Sequence, residues 1–213
     1  MKKANRIGIL EGGSSAEAEV SRSSAAQINE ALKAQGYETM LIDIGQTQLT
    51  DQILAFKPDV IFPALHGPVG EDGTIQGFLE ILAIPYVGSN VRGSSLAMDK
   101  SVSKKIFDSL AIPTAAGIMV DELPVSINSL QQNIEENLGE KIVIKPVNQG
   151  SALGVEIVSD LSDLKTRLTR SLVYGPCLIE SFIEGREITV GVLDIGGRTK
   201  PFPVIEVITP ENE

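Results

Sequence analysis

Asp59-Val60-Ile61-Phe62-Pro63-Ala64-Leu65 is an almost wholly apolar run that ends directly on His66-Gly67. A continuous apolar stretch of this length, closed by a glycine, reads as a strand buried on both faces. Upstream, Ile7-Gly8-Ile9-Leu10 is a shorter run stopped by Glu11-Gly12-Gly13, and residues 39–44 form another. Between those two, Ala25, Ile28, Ala31 and Leu32 share one helical face, closed by Gly36. A helix around 52–56, with Thr50 or Asp51 as its cap, leads into the quoted stretch. A helix at 74–82 follows it, and Pro85-Tyr86-Val87 reads as a brief fourth strand. Strand and helix thus alternate through the first ninety or so residues, which predicts α/β architecture with an open parallel sheet covered on both faces. Loops 11–15 and 66–73 follow the first and third strands, at the carboxyl ends where such sheets bind ligands.

Past residue 95 the rhythm changes. Helices are expected at 99–110 and 129–138, and strands at 117–120, 141–145 and 154–159. A further helix, capped by Asp160, carries Leu161, Leu164, Leu168 and Leu172 on one face. Residues 178–180, 187–195 and 202–208 read as strands, the last two too close for an intervening helix and so antiparallel. The expected division is an α/β domain over 1–95, a smaller α+β domain over 96–180, and the start of a third part over 181–213.

Eighteen basic against 28 acidic residues give a net charge of −10, which argues against gripping nucleic acid or an anionic membrane by bulk charge. A small phosphate ligand needs only local donors and one or two lysines, and stays open. No apolar run approaches a bilayer span, and the apolar stretch behind Met1-Lys2-Lys3 is too short for a signal peptide. The single cysteine, Cys177, excludes an intrachain disulfide. A cytoplasmic protein is the expectation.

Four segments carry chemistry. Glu11-Gly12-Gly13-Ser14-Ser15-Ala16-Glu17 places a flexible turn and a helix start beside a strand end, where unpaired amides attract an anion. Taken alone, Glu17 also reads as a first-turn carboxylate favoured by the helix dipole. His66-Gly67-Pro68-Val69-Gly70-Glu71-Asp72-Gly73 gathers the only histidine and two carboxylates in one loop. His66 there either meets a substrate oxygen or satisfies loop backbone. Lys145-Pro146-Val147-Asn148-Gln149-Gly150-Ser151 sets a lysine at a strand end before a glycine turn whose amides can cover phosphates. It is not a P-loop, which runs Gly-Lys-Ser/Thr into a helix. Finally, Glu180-Ser181-Phe182-Ile183-Glu184-Gly185-Arg186-Glu187 puts carboxylates on both sides of a turn, which by itself reads as a solvated acidic loop.

In order along the chain these segments, with Pro85-Tyr86-Val87-Gly88-Ser89 and Met98-Asp99-Lys100, resemble the D-alanine–D-alanine ligases of the ATP-grasp superfamily. The resemblance implies a parallel-sheet pre-ATP-grasp domain followed by an incomplete α+β ATP-grasp domain. It implies ATP-dependent joining of two D-alanines for peptidoglycan synthesis, with D-lactate or D-serine as alternative second substrates. A non-catalytic ATP-grasp binding module is the other alternative. Catalytic roles would fall to Glu17, His66 and Ser151, with Glu17 holding the substrate ammonium, Ser21 shaping its pocket and His66 beside the activated carboxylate. Lys100 and Lys145 would meet ATP phosphates under the loop containing Gly150 and Ser151. Glu180, Phe182 and Ile183 would read adenine, and Glu187 the ribose. Magnesium is implied as cofactor with its ligands beyond residue 213, so this chain alone is expected to be nearly inactive. A homodimer is implied as well. The chain departs from the family at Ser14, where a basic residue is common, at Ala152, where a second serine is common, and at Asn90, where glycine is usual and Asn would tolerate left-handed geometry.

Overall fold

The computed structural model describes residues 5–208. Residues 1–4 and 209–213, and with them the basic start and the outer ends of the expected domain ranges, lie outside the described residues. The chain forms two compact units, residues 1–181 and 182–213.

The first unit opens with β1 (Arg6–Glu11), α1 (Ala18–Ala34), β2 (Glu38–Asp43), α2 (Leu49–Phe56), β3 (Val60–Pro63) and α3 (Thr74–Ile81). The strands form a parallel sheet in the order β2-β1-β3. Successive residues of β1 face opposite sides, and both sides are dry. Ile7 and Ile9 pack with Ala25 and Ala64 under α1, while Leu10 joins Ile42, Ile53, Ile61 and Leu79 under α2 and α3. That two-sided burial is why these strands lack polar alternation. Three local expectations are revised. Helix α2 starts at Leu49 behind Gln48, so neither Thr50 nor Asp51 is its cap. Residues 85–87 form a single parallel bridge, Ile61 to Tyr86, rather than a strand. Asn90 is extended (φ −72°) and not left-handed; its side chain caps α4 (Val91–Met98), an unanticipated helix, by accepting from the Gly93 amide at 2.9 Å.

Helix α5 (Lys100–Ser109) follows, capped by Asp99, whose carboxylate accepts from the Ser101 and Val102 amides. Then come β4 (Gly117–Val120), α6 (Ile127–Asn137), β5 (Ile142–Pro146), β6 (Glu156–Val158), α7 (Leu164–Leu172) and β7 (Cys177–Ser181). Asp160 caps a short 3-10 turn, Leu161–Asp163, that leads into α7. The strands form an antiparallel sheet in the order β4-β7-β5-β6. Ile142, Ile144, Cys177, Ile179 and Val158 turn one face onto α6 and α7, with Ile134, Leu164 and Leu168 completing the core. The register pairs Val143 with Glu180 and Lys145 with Leu178, so these residues occupy the opposite face.

In the second unit the expected strand 187–195 is two strands, β8 (Glu187–Thr189) and β9 (Val192–Ile195). The chain breaks step at Gly191, whose carbonyl accepts from the Phe202 amide at 2.8 Å. β9 pairs antiparallel with β10 (Arg198–Pro201) across Gly196-Gly197, both at positive φ as a tight hairpin requires. β8 pairs antiparallel with β11 (Ile205–Val207).

Candidate active site

The coreless face of the antiparallel sheet carries a cluster of charge. Lys145 at the end of β5 and Glu180 near the end of β7 approach to 2.6 Å (Nζ to Oε2). Lys104 reaches the other oxygen of Glu180 at 2.5 Å and also donates to the carbonyl of Ala115. Lys100 lies one helical turn before Lys104 on α5, so both ammonium groups face the same way. Its Nζ donates to the carbonyls of Gln149, at 2.5 Å, and Val147. These groups, with Phe107 and Leu178, line a cleft of about 370 Å3. A Cβ on Gly117 would sit 3.2 Å from Glu180 Cγ and 3.1 Å from the Ile179 carbonyl, so glycine there leaves room for the carboxylate.

The electrostatics follow from crowding. Burial pushes the Glu180 carboxyl up, but the hydrogen bonds and charges of Lys104 and Lys145 outweigh it and hold the group below its ordinary value. Lys100 is held below the ordinary lysine value, first by burial and then by the charge of Lys145, with Glu180 and Asp99 opposing. The cleft therefore holds three cations against one buried anion and can accept a polyanion.

The hairpin between β5 and β6 joins this cleft to the parallel sheet. Ser151 and Ala152 both adopt left-handed backbone, φ 45° and 58°. The turn projects the Ser151 hydroxyl to Glu17 Oε1, 134 residues away in sequence. Glu17 sits at the start of α1 without capping it. Its other oxygen faces Gly67 and Gly150; a Cβ at Gly67 would fall 2.6 Å from it and one at Gly150 3.5 Å. Gly154 is equally constrained, since a Cβ there would meet Tyr174 and Pro146 within 3 Å.

Around Glu17 the two loops brace one another. Ser21 is fully buried; its hydroxyl donates to the Ala64 carbonyl at 2.6 Å and accepts from the Gly12 amide at 2.9 Å. It thus sets the loop's shape. The Ser15 hydroxyl donates to the His66 carbonyl, and half-buried His66 places Nε2 3.3 Å from Ser24 Oγ. Glu71 accepts from the Gly67 amide at 2.7 Å. Val69 has φ 74°, an unusual conformation for a β-branched residue. The Asp72 carboxylate accepts from its amide at 2.9 Å and stabilises that turn. Gly12, Gly13, Ser14, Ser15, His66 and Val69 border a cavity of about 360 Å3.

Glu17, Ser21, His66, Gly150 and Ser151 are thus gathered at one place, and Lys100, Lys145 and Glu180 at another, with the hairpin reaching both. Phe182, Ile183 and Glu187 belong to the second unit, where Ile183 is exposed and Glu187 opens β8. Sequence reasoning missed Lys104, Phe107, Ser24 and Glu71 as site residues. The spacing of Lys104, four after Lys100 on a predicted helix, was the available signal; Ser24 and Glu71 offered none by spacing.

Residues 47–89 match the family described as D-ala D-ala ligase N-terminus, and residues 106–212 match D-ala D-ala ligase C-terminus. The D-alanine–D-alanine ligase of Coprothermobacter proteolyticus is 38% identical over 206 residues, which is 96% of this chain and 67% of that protein. The Bordetella pertussis ligase is 38% identical over 210 residues, 98% of this chain and 65% of its own. Among solved structures, the Bacillus anthracis D-alanine–D-alanine ligase complexed with ATP superposes with a TM-score of 0.80 at 34% identity, over 98% of this chain and 68% of that one. The Vibrio cholerae D-alanyl-alanine synthetase A superposes with a TM-score of 0.85 at 25% identity, over 100% and 69%. The chain spans about two thirds of the length of these relatives. On these matches, and on a parallel sheet and an α+β sheet arranged as in the solved ligases, the chain belongs to the D-alanine–D-alanine ligase family.

Proposed function

We propose that this chain contributes the nucleotide cleft and the first amino-acid pocket of an ATP-dependent ligase that joins two D-alanines. The observation that carries the reading is the Ser151–Glu17 bond, which ties the hairpin beside the lysine cleft to a carboxylate suited to an ammonium group. The residues of 1–95 then serve the amino acid, those of 96–180 the nucleotide, and 181–213 begins a third part. Lys100 and Lys145 neutralise phosphate oxygens, Gly150 and Ser151 cover them, and Glu180, Phe182, Ile183 and Glu187 receive adenine and ribose. Glu17 holds the ammonium of the first D-alanine, and His66 lies beside its carboxylate.

A carboxylate oxygen of that D-alanine attacks the γ-phosphorus of ATP, the bond from that phosphorus to the β,γ-bridging oxygen breaks, and ADP leaves with its electron pair. The amine of the second D-alanine attacks the acyl phosphate carbonyl, loses a proton, and the tetrahedral intermediate expels phosphate. Both steps crowd anions together, so positioned cations carry the rate, each donor supplying on the order of 3 kcal/mol. Magnesium bound with the nucleotide would neutralise further phosphate charge. Among the described residues no group of three or more His, Cys, Asp or Glu side chains is gathered, so none is assigned to it. The reading extends to a cytoplasmic homodimer that supplies D-alanyl-D-alanine for peptidoglycan. Among the described residues no helix is long and apolar enough to cross a membrane.

Calorimetry with Mg-ATP tests the reading. Wild type should bind and Lys145→Ala should bind at least about tenfold more weakly, as loss of one charge-assisted contact predicts. No heat of binding to wild type would overturn the nucleotide assignment. A product assay offering D-alanine, D-lactate or D-serine as acceptor identifies the second substrate; preference for either alternative would overturn the D-alanine assignment.

A further inference from the structure

Glu180 is a single buried carboxylate shared by two lysines, and the two are not equivalent. Lys104 is 18% exposed and is fixed at two acceptors, the Ala115 carbonyl and Glu180 Oε1, each at 2.5 Å. Lys145 is 34% exposed and meets Glu180 Oε2 at 2.6 Å. A lysine that neutralises a triphosphate must turn from its present partner toward the incoming oxygens. Turning Lys145 away from a carboxylate only 9% exposed would strand a buried charge unless another cation stayed behind. Lys104 can stay: the Ala115 carbonyl, just before β4, anchors its ammonium where it reaches Glu180.

The geometry points to Lys104 as a positioning residue, the standing counter-ion of Glu180 that frees Lys145 for the triphosphate. This rests on the nucleotide reading above and assigns a division of labour within the cleft. Besides receiving adenine, Glu180 then performs two tasks. Without nucleotide it holds Lys145 extended across the cleft, and with nucleotide it remains neutralised by Lys104 alone. Lys104 need not touch phosphate in either state.

Mg-ATP affinity measured calorimetrically on four proteins tests this: wild type, Lys104→Met, Lys104→Arg, and Lys104→Met combined with Glu180→Gln. Lys104→Met should weaken binding about tenfold, because Lys145 becomes the sole counter-ion of Glu180 and resists transfer. Lys104→Arg, which keeps the charge, should stay within about threefold of wild type. The double variant should bind more tightly than Lys104→Met, because an amide no longer retains Lys145 while its carbonyl oxygen can still accept from the adenine amine. A lysine that merely stabilised the fold, or one that contacted phosphate directly, would give no such recovery. Unchanged affinity in Lys104→Met, or no recovery in the double variant, overturns the inference while leaving the nucleotide reading intact. Absence of binding by wild type removes both. Urea midpoints of all four proteins separate lost affinity from lost fold.

Discussion

The two sheets of the first unit use their surfaces in opposite ways. The parallel sheet is buried on both faces, so chemistry can gather only beyond its strand ends, where loops 11–15 and 66–73 meet. The antiparallel sheet packs its core against α6 and α7 on one face, and the other carries Lys145, Glu180 and Leu178 as the floor of a cleft bordered by α5. Adjacent residues on β5 therefore have unrelated duties: Ile144 is fully buried in the core, and Lys145 lies in the cleft. A sheet whose second face opens onto a cleft can hold charges on its strands, whereas a sheet packed with core on both faces must hold them on loops that need bracing of their own.

The sharpest way to break this contrast is to substitute those neighbours. Ile144→Ala should cost about 2–5 kcal/mol in urea unfolding. Lys145→Met should change stability by less than about 1 kcal/mol while removing most nucleotide affinity. Equal destabilisation by both would mean that the two faces are not functionally separate. On the parallel sheet, Ser21→Ala should cost about 1–3 kcal/mol, because it orphans the Gly12 amide and Ala64 carbonyl that shape the loop. A loss no larger than a surface change would show that the loop is self-supporting.

Acid should act through the cleft. Glu180 is held below its ordinary value, so its stabilising contribution is complete above the unfolded value of 4.5 and is lost as pH falls through the lower folded one. Glu180→Gln should flatten that limb of a stability–pH curve; an unaltered limb would deny that the buried carboxylate is coupled to folding. The smallest effect is expected on the core side. Burial pushes the Cys177 thiol up to about 11, so a disulfide reagent at pH 8 should fail to modify the native protein and should react fully in urea. Prompt native reaction would mean that this face opens.

Strand runs, helix faces and glycine positions were legible because each depends on neighbours a few residues apart. The apolar run ending on His66 announced a covered strand, and Asp160 announced a helical turn. Asn90 was misread because Asn suits both a left-handed turn and a cap, and α4 behind it decides between them. The strand expected over 187–195 split because β8 and β9 pair with different strands.

Lys104 was missed although it lies on a helix that was read, because its partner Glu180 is 76 residues away, whereas Glu71 lies within a motif that was read and bonds the amide of Gly67 in the same loop. By itself the sequence determined most of the strands and helices, though not α4 or the break at Gly191, and which residue types are available for phosphate and ammonium. Only the tertiary structure decided that Glu180 is shared by two lysines and that Ser151 reaches Glu17. Periodicity is a local property of the chain, whereas pairing across a sheet or between loops is set by register and packing, which bring Lys104 to Glu180 across 76 positions and Ser151 to Glu17 across 134.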